Sequence, residues 1–310
     1  MDSRHNYARR TVTIASAGLA VTLSLAACGS AADRATNASS TAPRIASAPV
    51  STDGVDEGVA TEQTPVYWAG TDDQSGYLFR EFRTTPAVAT ADPADPVAEA
   101  VVMMTSLEPL DPDYRSLWSA VESVGTSVAP DGTITVDLPA SAFASQLPTD
   151  DAELALQQLV YTVSAAAVTA GLLDAATTKE VRILVDGQSG YKAFGSVDLK
   201  DPISRDASLA APVWLIDPQT GTASGSPLTM FGRVLPDFAP ATWEVIPAHG
   251  DEAVKSGEIA EPTETPASSA GTEFRIPVDV PAGDYTVRVT GSNEGGDRVT
   301  DDHTVTIVTD

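Results

Sequence analysis

Cysteine and histidine are almost absent from this 310-residue chain. Cys28 is the single cysteine, so no disulfide bond can form within the chain and no cysteine cluster can hold zinc or iron–sulfur. Of the three histidines, His5 lies in an amino-terminal leader, and His249 and His303 have no partner at a metal-ligand spacing. We therefore predict no metal site and no cofactor, and we expect His249 and His303 to be exposed.

Basic residues are also scarce, with 18 Lys and Arg against 43 Asp and Glu and a formal net charge of −25. Residues 1–27 contribute +2, so the remaining residues carry −27. Nucleic-acid binding requires clustered Lys and Arg, which makes nucleic acid an improbable class of partner. The same balance argues against electrostatic attachment to anionic lipid headgroups. We expect most of the acidic side chains to form a solvated surface.

The amino terminus has the pattern of an export signal, with positive charges in residues 1–11 and a small or apolar run over 12–27. Leu25, Ala26, Ala27 and Cys28 match the lipobox of bacterial lipoproteins, in which the cysteine thiol forms a thioether to diacylglycerol. The run holds about 16 residues, short of the roughly 20 of a membrane span, which argues against an uncleaved anchor. The paired Arg9 and Arg10 leave open the choice between the general and the twin-arginine export routes.

We therefore predict that residues 1–27 are a lipoprotein signal peptide and that Cys28 is the lipidated first residue of the mature protein, with palmitate among its acyl chains. The protein would be held at the outer face of the cytoplasmic membrane. Residues 28–63 are dominated by Ala, Ser, Thr and Asp without helical or strand periodicity. Such a segment buries too little apolar surface to offset the entropy of ordering, so we predict a disordered linker.

Residues 64–202 alternate strand and helix signals in the order β-β-α-β-β-α-β, which indicates an α+β domain with two helices on one face of a small sheet. Strands are predicted at 65–68, 77–83, 126–129, 133–138 and 181–187. Asp95 and Pro96 mark the start of one helix, and Thr149 with two following aspartates marks a second that stops near Gly171. The buried stripe of the second helix is predicted to consist of Leu156, Leu159, Val160 and Val163.

Several segments of this region resemble the GerMN domain of sporulation and spore germination proteins. The segments are Leu117-Trp118, Val136-Asp137-Leu138 with Phe143, 158–162, and 183–187. The resemblance covers nearly the whole region and implies a module related to the ring-building units of sporulation and secretion complexes. It implies no catalytic residues. A recognition site at Asp137, Gln158 and Tyr161 is one interpretation, but we favour a packing role for the last two and a solvent-facing Asp137.

Residues 208–310 lose the helical period and carry strand signals at 213–216, 228–234, 242–246, 274–280, 285–289 and 304–308. Pro, Gly and Asp turns separate them, which predicts an all-β sandwich. Tyr285 follows a Pro-Ala-Gly-Asp turn as in a tyrosine corner. The segment 247–272 is rich in Glu, Pro, Ser and Thr and is expected to include a long loop.

This second region resembles the immunoglobulin-like domain that accompanies GerMN domains. The residues that carry the resemblance are Pro227-Leu228-Thr229 through Gly232, Phe238, Trp243-Glu244-Val245, Phe274 and Gly283-Asp284-Tyr285. The order of the two regions matches that of spore-germination-type proteins, and this implies a two-module architecture.

Motifs for catalysis are weak throughout. The run Gly187-Gln188-Ser189-Gly190 lacks one residue of the nucleophile elbow, although a serine triad drawn from distant positions stays open. Paired aspartates such as Asp72-Asp73 and Asp150-Asp151 are common at this acidity and are poor evidence for acid–base chemistry. The stretch 297–302 lacks the ordered spacing of a calcium loop, and we expect a solvated loop there.

The sequence therefore favours a lipid-anchored scaffold or binding protein, without catalytic residues, that docks on envelope proteins or the cell wall. Two alternatives are a cell-wall hydrolase that uses surface carboxylates and a small-ligand receptor lipoprotein. Either alternative should show a deep pocket with converging polar groups.

Overall fold

The computed structural model of the chain describes residues 63–84, 95–259 and 271–308. The predicted signal peptide, the lipobox residues Leu25, Ala26 and Ala27, Cys28 and all but the last residue of the predicted linker lie outside the described residues. Those assignments therefore stay predictions. Neither helix of the described segments is both long and apolar enough to cross a membrane.

The first part of the described chain, here called the α+β part, contains both helices, α1 (Pro96–Ser106) and α2 (Thr149–Thr169). Its strands are β1 (Gln63–Gly70), β2 (Leu78–Thr84), β3 (Tyr114–Arg115), β4 (Gly125–Val128), β5 (Thr133–Leu138), β6 (Glu180–Val185), β7 (Lys192–Ala193), β8 (Val197–Asp198) and β9 (Ile203–Ser204).

The strands of the α+β part divide among three sheets with the orders β2-β1-β3, β4-β5-β6-β9 and β7-β8. Pairing is antiparallel except between β5 and β6, which are parallel and are joined through α2. The longer elements follow the predicted order, but their strands do not form the single small sheet that the sequence predicts. Strands β3, β7, β8 and β9 have two residues each, too few to produce a readable alternation.

Both helices begin where the sequence predicts. The Asp95 carboxylate accepts hydrogen bonds from the backbone N–H groups of Val97 and Ala98, which are otherwise unpaired in the first turn. The predicted stripe of α2 is buried, and so are its other sides, because α2 packs against β1, α1, β6 and β8. Gly171 adopts a positive φ of 70° just beyond α2, as a helix stop requires.

The hairpin between β4 and β5 turns at Gly132, whose φ is 97°. A Cβ atom at this position would lie 2.1 Å from the Thr178 carbonyl oxygen, so the chain approaching β6 passes directly against the turn. Glycine is thus required for two reasons, backbone conformation and lack of space.

The second part, here called the all-β part, consists of eight strands among the described residues. They are β10 (Val213–Asp217), β11 (Thr222–Ser224), β12 (Leu228–Val234), β13 (Ala241–Pro247), β14 (Lys255–Ile259), β15 (Thr272–Val278), β16 (Gly283–Ser292) and β17 (Arg298–Ile307). Two sheets form, with the orders β10-β12-β15 and β11-β17-β16-β13-β14.

The six strands predicted for this part are present, and β11 and β14 are additional. Strand β14 lies within the segment 247–272 that was expected to include a long loop, and residues 260–270 of that segment lie outside the described residues. The Tyr285 hydroxyl donates to the Pro281 carbonyl oxygen at 3.0 Å, the hydrogen bond expected of a tyrosine corner. An immunoglobulin-like arrangement of these sheets stays a prediction.

Two expectations about β17 are wrong. Residues 298–302 belong to this strand and are not a solvated loop, and Asp301 is completely buried. His303, expected to be exposed, is 4% exposed, whereas His249 is exposed as predicted. The strand places Val299, Asp301 and His303 on the same inward side as its buried apolar residues, because side chains alternate along a strand.

We expect Gly132→Ala to lower the free energy of unfolding by at least about 2 kcal/mol more than Gly76→Ala. Gly76 has a similar φ of 87° but open space around it, so this control carries the backbone strain without the collision. Chemical denaturation of both variants measures the difference. Equal losses would contradict the close approach at Thr178.

Candidate functional site

The junction between the two parts is held by hydrogen bonds rather than by a shared sheet. The backbone N–H of Ala211 donates to the Leu78 carbonyl oxygen at 3.1 Å, and the Gln74 side-chain amide donates to the Thr300 carbonyl oxygen. Among the described residues, no sheet combines strands from both parts. The relative placement of the two parts therefore depends on side chains that meet at this junction.

Asp301 is the central side chain of the junction. Its Oδ1 accepts a 2.6 Å hydrogen bond from the Tyr114 hydroxyl in β3, and its Oδ2 accepts a 2.6 Å hydrogen bond from the Leu215 backbone N–H in β10. Asp301 is 0% exposed and Tyr114 is 5% exposed. One carboxylate thus connects the α+β part to both sheets of the all-β part.

His303 lies beside Asp301 with its two ring nitrogens in different surroundings. Nδ1 lies 2.6 Å from the Pro218 carbonyl oxygen, which only accepts, so Nδ1 carries a proton. Nε2 faces Asp111 Oδ2 at 3.7 Å and Asp301 Oδ1 at 3.9 Å. The ring therefore sits between a backbone carbonyl of the all-β part and carboxylates from both parts.

Glu81 positions the loop that supplies Asp111. The buried Glu81 carboxylate accepts from the Leu110 and Asp111 backbone N–H groups at 2.8 and 2.9 Å and pairs with Arg83 at 2.9 Å. Asp111 in turn accepts from the Thr220 hydroxyl at 2.8 Å, across the junction. We call Glu81, Asp111, Tyr114, Asp301 and His303 the junction cluster.

Burial is the largest cause of the pKa shifts of Asp301 and Tyr114 in this cluster. It raises the pKa of Asp301 to about 6, and the hydrogen bonds from Tyr114 and Leu215 and the charge of His303 oppose that rise. Burial also raises the pKa of Tyr114 well above its usual value, and the neighbouring Asp301 charge adds to the effect. Tyr114 is therefore a permanent donor at neutral pH.

A shallow depression lies on the outer side of the junction, with a volume of about 210 Å³. Its lining residues are all polar or charged: Asp73, Gln74, Asp113, Arg288, Arg298, Thr300 and Asp302. It is smaller than the roughly 300–1,000 Å³ of ordinary small-molecule sites. Within the described segments, no group of three or more His, Cys, Asp or Glu has a geometry that holds a metal ion.

The residues considered as a recognition site have structural contacts instead. Gln158 is fully buried, its amide donates to the Tyr67 carbonyl oxygen at 2.9 Å, and its Oε1 accepts from the Leu117 N–H at 3.3 Å. Tyr161 is buried against the Tyr67 ring. These contacts confirm a packing role for Gln158 and Tyr161, while Asp137 is half-buried rather than fully solvated.

No sequence motif marks the residues of the junction cluster. Its members come from three separate places, namely β2, the segment 111–114 and β17, and Tyr114 and Asp301 are 187 positions apart. The one available signal was the alternation that continues from the strand predicted at 304–308 back through His303 and Asp301. Extending that strand would have placed both side chains on its inward face.

Replacing Asp301 with alanine leaves the Leu215 N–H buried without an acceptor and leaves the Tyr114 hydroxyl only its longer contact to His303 Nε2, at 3.5 Å. We expect Asp301→Ala to lower the free energy of unfolding by about 3 kcal/mol. Asp302→Ala is the matched control, because it removes a partly exposed ion pair with Arg288 worth at most about 1 kcal/mol. Urea unfolding of the two variants makes the comparison, and similar losses would show that Asp301 does not hold the junction.

The raised pKa of Asp301 predicts a specific pH dependence. The folded state binds this proton more tightly than the unfolded state, so the stability that Asp301 contributes is greatest at low pH. It is lost as the pH rises from the unfolded value of 3.8 to the folded value of about 6, by about 3 kcal/mol in total.

Asp301→Asn cannot titrate and serves as the reference for that pH dependence. Relative to this variant, the wild-type protein should gain stability as the pH falls from 7 to 4, measured by urea unfolding at each pH. Acidic groups remote from Asp301 titrate equally in both proteins and cancel from the difference. A constant difference, or one that shrinks at low pH, would contradict the raised pKa.

Comparison with known proteins gives one family match and several distant structural similarities. The first GerMN domain of the sporulation protein GerM from Bacillus subtilis has a TM-score of 0.32 and 14% identity, over 46% of this chain and 95% of that chain. The tandem GerMN domains of the same protein have a TM-score of 0.35 and 11% identity, over 70% and 61%. CopC from Methylosinus trichosporium OB3b has a TM-score of 0.24 and 17% identity, over 31% and 94%. No curated protein matches the chain.

These structural similarities are too weak to bear on function. The family match is the firmer result: the family described as Germane, sporulation and spore germination, matches residues 65–191. This span contains both helices and the Glu81, Asp111 and Tyr114 side of the junction cluster. Residues 65–191 therefore match the Germane family of sporulation and spore germination, in agreement with the resemblance of this region to GerMN domains.

Proposed function

We propose that this protein is a lipid-anchored, extracytoplasmic scaffold that presents its α+β and all-β parts as one rigid body to an envelope protein or a cell-wall polymer. The observation that supports this most directly is the junction cluster, in which Asp301 joins Tyr114 and Leu215 across the two parts. A scaffold needs a fixed distance between its binding surfaces, and a buried hydrogen-bonded junction provides one.

The energetics of the junction favour a fixed arrangement. Moving the parts against each other would strand the Asp301 carboxylate and the Tyr114 hydroxyl, and an unpaired buried polar group costs about 1–3 kcal/mol, more when it is charged. The Thr220 contact to Asp111 and the Ala211 contact to Leu78 would break in the same motion. Interdomain motion is therefore expected to be small.

The same contacts argue against the hydrolase alternative. Both oxygens of Asp301 and both oxygens of Asp111 accept hydrogen bonds within the described chain, so neither carboxylate is available as a general base. The outer depression mixes carboxylates with Arg288 and Arg298 and is too small for a polymer chain. A binding role without catalysis accounts for these features better than a hydrolase or a small-ligand receptor.

The test is a crosslinking pull-down from native membranes that compares the wild-type protein with Cys28→Ala. We expect the wild-type protein to fractionate with membranes and to crosslink to defined envelope components. The variant, which has no thiol to lipidate, should leave the membrane fraction and lose those partners.

Asp302→Ala is the control for expression and folding, because it keeps both Cys28 and the junction cluster. It should fractionate and crosslink as the wild-type protein does. Retention of the Cys28→Ala variant in the membrane with the same partners would contradict the lipid anchor. A wild-type protein that crosslinks to no partner despite normal expression would contradict the scaffold.

A further inference from the structure

Three arginines lie over aromatic rings where both parts of the chain meet the connecting segment, defined as residues 205–212 between β9 and β10. The guanidinium carbon of Arg80 lies 4.9 Å and that of Arg233 lies 5.6 Å from the centre of the Trp214 ring. The guanidinium carbon of Arg205 lies 4.6 Å from the centre of the Tyr161 ring. We call these five residues the basic seam.

The basic seam is continuous from Arg80 to Arg205. The guanidinium carbon of Arg205 also lies 5.7 Å from the centre of the Tyr67 ring. Tyr67 is opposite Arg80 in the pairing of β1 with β2, and Arg80 and Arg233 share the Trp214 ring. These contacts connect the three arginines.

No carboxylate of the described chain forms an ion pair within 4.0 Å of these three arginines. Two acidic residues are neighbours without neutralising them. Glu273 is opposite Arg233 in the pairing of β12 with β15, and the Asp206 carboxylate accepts hydrogen bonds from Ser208. In a chain with 43 acidic and 18 basic residues, this local excess of positive charge is unusual.

Hydrogen-bond donors without acceptors are concentrated at the same place. Among the described residues, Arg80 Nε, Trp214 Nε1 and Arg233 Nε are buried without a hydrogen-bond partner. All three atoms are donors, and both arginines lie over the Trp214 ring. Buried polar groups are nearly always paired in native proteins, so three unpaired donors around one ring indicate that the site is short of acceptor atoms.

The stacking arrangement prepares the guanidinium groups for an anion. An arginine above an aromatic ring keeps N–H groups at its edge available, and the ring limits the side-chain entropy that binding would otherwise cost. One donor of Arg205 is already used, because its Nη2 donates to the Tyr161 carbonyl oxygen at 2.7 Å. Arg80 and Arg233 are half-buried and Arg205 is exposed, so part of each side chain remains open to solvent. Guanidinium groups bind carboxylate and phosphate oxygens through paired charge-assisted hydrogen bonds.

We propose that the basic seam is a binding site for an oxyanion, the phosphate or carboxylate group of a docked partner. The inference rests on the proposed function only in assigning the oxyanion to a partner, because anion binding itself is a property of these residues. It identifies the face of the scaffold that the partner contacts and the chemistry of the group that the partner presents there.

The test measures binding of inorganic phosphate to the full-length protein in a non-ionic detergent, with chloride replacing phosphate at constant ionic strength. We follow thermal unfolding and the indole N–H resonance of Trp214. Phosphate should raise the unfolding temperature and shift that resonance, and both changes should saturate over the same range of phosphate concentration. Arg205→Met and Arg233→Met should each weaken binding about tenfold or more, because each removes a charge-assisted contact.

Arg275→Met is the matched control, because Arg275 stacks on the Phe231 ring at 5.0 Å in the same part but stands outside the seam. It should bind phosphate within about twofold of the wild-type protein. Arg205 is exposed, and its variant loses one hydrogen bond, from Nη2 to the Tyr161 carbonyl oxygen, together with the contact to the Tyr161 ring. This variant should still fold, and its response to phosphate is measured against its own unfolding temperature in chloride. This keeps the test valid if Arg233→Met fails to fold.

Acetate at the same ionic strength identifies the source of the oxyanion. Tighter phosphate binding would assign the site to a phosphate group, and tighter acetate binding would assign it to a carboxylate. Binding of neither anion, or an equal loss in Arg275→Met, would overturn the proposal. Phosphate binding that fails while the membrane pull-down still recovers its partners would overturn this inference alone and leave the scaffold intact.

Discussion

The structure depends on one buried carboxylate. Asp301 lies between the α+β part and the two sheets of the all-β part, and it accepts hydrogen bonds from Tyr114 and Leu215. Burying a charge is costly unless the surroundings supply donors, and here the donors come from elements that meet only when both parts are in place. The junction thus tolerates few alternative arrangements. Apolar contact alone would be stabilising but would specify the relative placement less strictly.

Local structure was readable from the sequence wherever one short segment contained the whole physical cause. Asp95 and Pro96 start α1 because capping is a property of adjacent residues, and Gly171 ends α2 because of its own backbone freedom. Asp301 and His303 are buried, contrary to prediction, because the residue type alone does not distinguish a polar side chain that faces the interior from one that faces solvent. Only the position of Tyr114, 187 residues away, distinguishes them.

Net charge likewise does not reveal where charged side chains gather in the fold. A net charge of −25 correctly describes a surface rich in carboxylates, and on that basis nucleic acid and anionic lipid were set aside as partners. Net charge is a sum over the whole chain, whereas recognition depends on the few groups within a Debye length of about 8–10 Å. Arg80, Arg205 and Arg233 come from β2, the connecting segment and β12, so their grouping is a product of the fold.

The junction cluster and the basic seam are linked, because both require the two parts to be in contact. Arg80 belongs to the α+β part, whereas Trp214 and Arg233 belong to the all-β part. Opening the junction would separate these side chains and abolish the anion site along with the hydrogen bonds of Asp301. An oxyanion that binds only the closed junction must therefore stabilise it, by RT ln(1 + [L]/Kd). Partner binding and rigidity would then reinforce each other, so the scaffold would be most rigid when it is occupied.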